Sequence, residues 1–460
     1  MNKKILAMMF LALMTTSCKK DKKPQTTQIT PVEFPSDTGV DGFKFPEDPN
    51  TIYTWLNSED NVSIAKHAWG IWAGLTKDSG QSYNGQKLPV YDTWHGVGEL
   101  SAAVGNGDKN AGCNVKVNRA KLNRPKQFGH AGLQAENPIN DDYVIVETVS
   151  YSPASSCFAS QNLIFNQSTL NKYMVKDDIG KIPEFPVTSI TTKPTYYVTK
   201  SNTGLVRLPA WTTTPVPAKV FGNKLWNNWV YVDLDNKQDP DKKLVPVTVD
   251  NPTPEQLVAA TCNANNFIYF KLDADEAAYL NSKQDNGTPA DHQFSAGDVA
   301  LLVAMHVTTK EIPNWTWQTY FWVPQPDYPG DPSSPTYAKL RPSTLSPAAA
   351  HYAVSPCYAM VYPNQPITGG TDKDAEPIIC YNPYLEAGFG PNVFQYKNTW
   401  QPDFQYGVQT NCASCHALAT MTGNLGYSTN QYIDMKNPAF KNDVQLDFAW
   451  SIQGNINANK

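Results

Sequence analysis

The chain has 460 residues, 41% of them hydrophobic and 12% aromatic, and a formal net charge of −5 at pH 7. That much apolar side chain can offset the entropy of ordering two or three cores, which excludes a disordered chain. The arginines are few and form no stripe, which excludes nucleic-acid binding through a basic face.

With 12 Trp, 23 Tyr and more Pro (36) than Gly (27), the mixture suits strands joined by rigid loops better than a helical bundle. The fold class expected is α+β and β-rich: a large strand-and-loop body with short helices and a C-terminal segment docked on it.

Residues 1–17 read as a lipoprotein signal peptide. Asn2, Lys3 and Lys4 are the basic start, residues 5–14 the apolar core, and Thr15, Thr16 and Ser17 the small residues before Cys18. Cys18 would carry the lipid and tether the protein in the bacterial cell envelope, with the outer membrane expected, on its periplasmic or surface face. Thr15 stands where Leu is usual, so cleavage by an ordinary signal peptidase is the alternative; the compartment is the same. No later run approaches the ~20 apolar residues needed to span a bilayer.

Residues 18–40 are charged, then Thr- and Pro-rich, and are expected to form a flexible stalk. Two β-rich domains are expected beyond it, 41–245 and 246–460, the second including a haem segment at 400–460. The boundary falls in the polar, Pro-punctuated run DLDNKQDPDKKLVPVTVDNPTPEQ.

The first helix is NVSIAKHAWGIWAGLTK, capped by Ser58 or Asn61, with Ile64, Ala68, Trp69, Ile71, Trp72 and Leu75 on a broad apolar face. His67, beside that face, reads as a structural histidine. Strands are expected at YVIVETVSY, TYYVTK, WVYVDL, NFIYFKL and DVALLVAMHVTT, and at WTWQTYFWV with one packed face. DADEAAYLNSKQ is a short helix with Asp273 and Glu276 as a capping box. Asp233 and Asp235 begin like a calcium loop, but Lys237 takes the next ligand position, so a solvated turn is expected.

No G-x-S-x-G, H-E-x-x-H or phosphate loop occurs. TWHGVGEL, at His95, has a faint likeness to an oxyanion loop but lacks an accompanying serine nucleophile.

Near the C-terminus lies Cys412-Ala-Ser-Cys415-His416. A turn brings two sulfurs three residues apart to one porphyrin edge as thioethers, and the adjacent imidazole can then ligate iron from beneath. A zinc ribbon would need a second Cys/His pair, and no other Cys-x-x-Cys occurs. A thioredoxin-like site would need strand–helix alternation that the flanks lack. The pattern points to one haem c.

The sixth ligand stays open. Met421 is five residues past His416, too close to cross the haem plane. His306 and Met435 are the candidates, with Met305, His351 and Met360 weaker, and a water-bound position is the alternative. Setting aside Cys18, Cys412 and Cys415 leaves five cysteines, so at least one stays reduced. Cys357 and Cys380 are the first expected bridge.

Four stretches carry a family resemblance: HAWGIWAGLT with LPVYDTW, LLVAMHVTTKEIPNWTWQTYFW, YNPYLE, and NCASCHALAT through FAWSI. With them the chain resembles bacterial exported cytochrome c family proteins that carry one haem motif near the C-terminus. The resemblance implies haem attachment at Cys412 and Cys415 and axial ligation by His416. It raises His306, which lies in a shared block, and lowers Met435. It also speaks against a standard small cytochrome c fold, because the motif follows a large body whose Trp and Tyr residues would wall the porphyrin.

Three functions follow. The first is electron transfer with an unidentified redox partner protein. The second is a haem oxidoreductase with an open distal face and His95, His306 or His351 as proton-transfer groups. The third is a surface binding protein with haem as a staple or sensor.

Overall fold

The computed structural model describes residues 28–125, 143–201, 204–212, 226–238, 243–283, 293–386, 411–427 and 431–458. The signal segment, Cys18 and residues 400–410 lie outside them. The fold is α+β with a strand-rich body.

Its centre is an eight-stranded sheet. In chain order the strands are β1 (His95–Gly96), β2 (Tyr143–Glu147), β3 (Ser150–Tyr151), β4 (Ile190–Thr199), β5 (Tyr269–Lys271), β6 (Val299–Thr309), β7 (Thr316–Trp322) and β8 (Tyr352–Pro356). They run β8-β7-β6-β4-β3-β1, with β5 also on β6 and β2 also on β4, and every pairing is antiparallel. The long neighbours β4 and β6 come from opposite sides of residue 245, so one sheet interleaves both expected domains and no boundary falls there. The described parts of the polar run, 233–238 and 243–256, lie beside a small second sheet of Leu205–Pro209, Trp229–Asp233 and Thr261–Asn263. Within it, Asp233 accepts from the backbone N–H groups of Asp235, Lys237 and Gln238, which makes a turn.

One face of the main sheet is covered by the helix Asn61–Thr76. Its start is capped by Asp60, which accepts from the Ser63 N–H at 2.9 Å, rather than by Ser58 or Asn61. Trp72 stacks on Tyr320 of β7 at 4.4 Å, and the Tyr320 hydroxyl donates to the Ala68 carbonyl. Burying one such indole takes roughly 200 Å² from water, on the order of 5 kcal/mol before chain entropy is subtracted. His67 is buried, bonded through Nδ1 to the Tyr358 hydroxyl at 2.8 Å and lying 3.2 Å from Glu311 through Nε2.

The back of this helix is covered by the N-terminal segment. Phe34 and Phe43 lie directly over Gly74 and Gly70, where a Cβ would sit 2.2 and 2.0 Å from ring carbons. Ile29 bridges Val117, and Trp94 donates to the Val32 carbonyl at 2.7 Å. Residues 28–40 are therefore docked, not a flexible stalk: the scattered apolar residues in a Thr- and Pro-rich run find a glycine-floored groove.

β7 is buried on both faces, not one, because its second face meets the C-terminal segment. There a second apolar cluster joins Val97, Leu100, Tyr151, Phe165 and Trp317 to Met421, Met435 and Phe448. Disulfides join Cys113 to Cys157 and Cys357 to Cys380, and Cys262 remains a thiol.

Candidate functional site

Cys412–Ala417 forms one and a half turns of helix, which places Cys412 and Cys415 on one side with His416 adjacent. Asn411 fixes this short helix. Its Oδ1 accepts from the Ser414 N–H at 2.9 Å, while Nδ2 donates to the carbonyls of Ala359 (2.9 Å) and Ile378 (2.7 Å). Ser414 Oγ donates to Gln431 at 2.6 Å and Trp450 Nε1 to the Cys415 carbonyl at 3.0 Å.

Cys412, Cys415 and His416 all line a cavity of about 940 Å³. That is the upper end of the ~300–1,000 Å³ usual for ligand and cofactor sites. His416 Nδ1 lies 2.8 Å from the Phe448 carbonyl, which can only accept, so Nδ1 carries the proton. Burial lowers the imidazole pKa to about 3, leaving the ring neutral with its lone pair on Nε2. Nε2 has no hydrogen-bond partner among the described residues. The Trp317 ring packs against His416 at 4.3 Å. Burial, reinforced by the Glu386 carboxylate, pushes the Cys412 thiol well above its ordinary pKa.

The sheet forms one wall. Cross-strand register puts Lys193, His306 and Thr319 in one row, and Thr191, Thr308 and Trp317 in the next. Alternation sends Met305 and Tyr320 to the opposite face, against the helix. His306 Nε2–H donates to Glu386 Oε1 at 2.9 Å, and Lys193 pairs with Glu147 at 3.0 Å. Glu386 is held in turn by the Asn382 N–H at 2.5 Å, and Asn382 Nδ2 donates to Thr319 and to the Tyr320 carbonyl. Lys121, Asn123 and Arg124 line the cavity elsewhere.

The structure brings His306 to this cavity and does not bring Met435. Met435 lies buried in the second apolar cluster, and its carbonyl accepts from Gln445 at 2.9 Å. The Met421 sulfur accepts from Gln167 Nε2 at 3.3 Å, and the Met360 sulfur from the Ile433 N–H at 3.2 Å. Neither these nor Met305, His95 or His351 line the cavity. Of the three histidines considered for proton transfer, only His306 is in place. Of the aromatic block, Trp315 and Trp317 face the cavity while Tyr320 and Trp322 pack in the sheet core.

The donor set fits a c-type haem: two thiols from one helix turn, a neutral imidazole lone pair, and a roomy cavity lined by both basic (Lys121, Arg124, Lys193) and acidic (Glu99, Glu147, Glu386) side chains. It fits zinc poorly. Among the described residues, the three-residue set with ligand atoms in range, Cys357, Cys380 and Cys412, has two members tied in a disulfide and excludes His416.

Sequence reasoning passed over Asn411, Glu386, Lys193 and the Phe448 carbonyl. Asn immediately before the motif is a cap residue type and could have been found. Glu386 closes the stretch YNPYLE, but nothing local pairs it with His306, and Lys193 carries no local signal. Comparison with protein-family models, with curated proteins and with solved structures finds no match for this chain.

Proposed function

We propose that this protein holds one covalent c-type haem on Cys412, Cys415 and His416 and serves as an exported, lipid-anchored electron carrier of the bacterial envelope. The observation that carries the reading is His416: Nδ1–H is committed to the Phe448 carbonyl, and Nε2 is left as a lone pair beside two thiols at a cavity of about 940 Å³. When bound, the haem supplies a one-electron couple.

The residues of the chain do the rest. The hydrogen bond to Phe448 and the Trp317 ring hold the imidazole plane. Lys121 stands at the cavity where a carboxylate could meet it, while Lys193 is paired with Glu147. His306 is the candidate sixth ligand, which requires its Nε2 to leave Glu386 or its Nδ1 to turn inward. A redox partner protein would receive the electron.

A haem oxidoreductase is the second reading. It is favoured by the His306–Glu386 pair, which keeps a proton donor on the wall of a cavity that, among the described residues, no methionine sulfur lines.

A pyridine assay with the optical spectrum of purified holoprotein tests both. Covalent haem with a low-spin ferric spectrum supports the carrier. Covalent haem in a high-spin ferric form that takes up cyanide supports the oxidoreductase. A chain exported alongside haem-attachment machinery that carries no covalent haem overturns both.

A further inference from the structure

The motif cysteines are not alone. Cys412 Sγ lies 3.5 Å from Cys380 Sγ, and the sulfurs of Cys357, Cys380 and Cys412 all lie within 4.8 Å of one another. Cys357 and Cys380 are bonded, while Cys412 is a thiol. The same backbone fixes all three, because Asn411 donates to the carbonyls of Ala359 and Ile378, each two residues from a disulfide cysteine.

We infer that the three sulfurs form a thiol–disulfide exchange site, in which Cys412 passes between a thiol and a disulfide with Cys380 without any external oxidant. The Cys412 thiolate attacks Cys380 Sγ, a Cys380–Cys412 bond forms, and the Cys357–Cys380 bond breaks. Cys357 leaves as the thiolate and takes up the proton that Cys412 gave up. Electrons balance: one disulfide and one thiol stand on each side. Burial of Cys412 favours its protonated form, and its side chain must turn to come in line with the Cys357–Cys380 bond, so exchange is slow.

The consequence, which rests on the haem reading, is a reserve for one attachment cysteine. An oxidising compartment would otherwise close Cys412 onto Cys415. A Cys380–Cys412 bond shelters Cys412 and is reversed internally by Cys357. Once Cys412 becomes a thioether it can no longer attack, and the disulfide is left as Cys357–Cys380.

Disulfide mapping of the full chain, exported in a host without haem-attachment machinery, tests the exchange. The protein is acid-quenched, alkylated in denaturant and digested, and its peptides are read by mass spectrometry. Two linkages are expected, Cys357–Cys380 and Cys380–Cys412, with alkylated Cys412 and Cys357 in matching proportions. Cys357–Cys380 alone, or Cys412 found only with Cys415, overturns the inference.

Cys357→Ser gives a second measurement. In that compartment the disulfide-forming oxidant should close Cys380–Cys412 in place of the lost bridge, and the haem-loaded variant should shift to a single-thioether pyridine spectrum. Cys380 recovered wholly as thiol, with two thioethers retained, counts against the site. If wild-type protein takes no covalent haem at all, the haem reading fails, while the mapping still decides the exchange.

Discussion

Asn411 separates two accounts of what holds the Cys-x-x-Cys-His helix. As a cap alone, its replacement by Ala costs about 1 kcal/mol, and Asp should replace it without loss. The structure gives it more to do. The side chain is fully buried, and its Nδ2 is the donor to two carbonyls, those of Ala359 and Ile378. Stranding two buried acceptors adds about 1–3 kcal/mol each. Asn411→Ala is therefore expected to cost on the order of 3–7 kcal/mol. Asn411→Asp keeps the cap acceptor yet turns a buried carboxylate oxygen toward both carbonyls, and should cost at least as much. Urea unfolding of the haem-free full chain, disulfides intact and followed by tryptophan fluorescence, measures both. An Asp variant within about 1 kcal/mol of wild type would show that Asn411 is only a cap and that the helix is not pinned to the disulfide loops.

In haem-loaded protein, His306→Ala is expected to change the spin state or cyanide affinity while Met435→Leu leaves the spectrum unaltered; the reverse pattern in an optical titration sinks the assignment of the cavity wall. Trp317→Leu removes the ring against His416 and should lower stability by about 2–4 kcal/mol in the same unfolding assay, with a loss under 1 kcal/mol telling against the packing described. Burial lowers the His95 pKa to about 4 from 6.5, so the unfolded chain binds the proton more readily and stability falls as pH drops through that window. From pH 7 to pH 5 wild type should lose about 2 kcal/mol more than His95→Gln, and equal losses would show that His95 does not titrate this way.

Much of the local structure was legible. The 3.6-residue spacing of Ile64, Ala68, Trp69, Trp72 and Leu75 marks the helix that covers the sheet, and Asp273 and Glu276 form the expected reciprocal cap. The spacing of Cys412, Cys415 and His416 says that two sulfurs and an imidazole share one side of a turn. These features rest on neighbours within about four residues, where backbone geometry alone sets who can meet whom.

The tertiary structure decided the rest. His306 and Met305 are adjacent on one apolar strand, and nothing local says which faces the cavity; the register of β6 against β4 and β7 does. Met435 looked available from its distance along the chain, but packing took it into the second cluster. Residues 28–40 read as a stalk until Phe34 and Phe43 met the glycines of a helix some thirty residues on. Glu386 meets His306 across 80 residues and Cys380 approaches Cys412 across 32. Such contacts depend on which surface covers which, a choice made by total burial and sheet register rather than by any segment's own pattern. The residue types at the site were thus written in the sequence, while their partners, their protons and the cavity they share exist only in the folded chain.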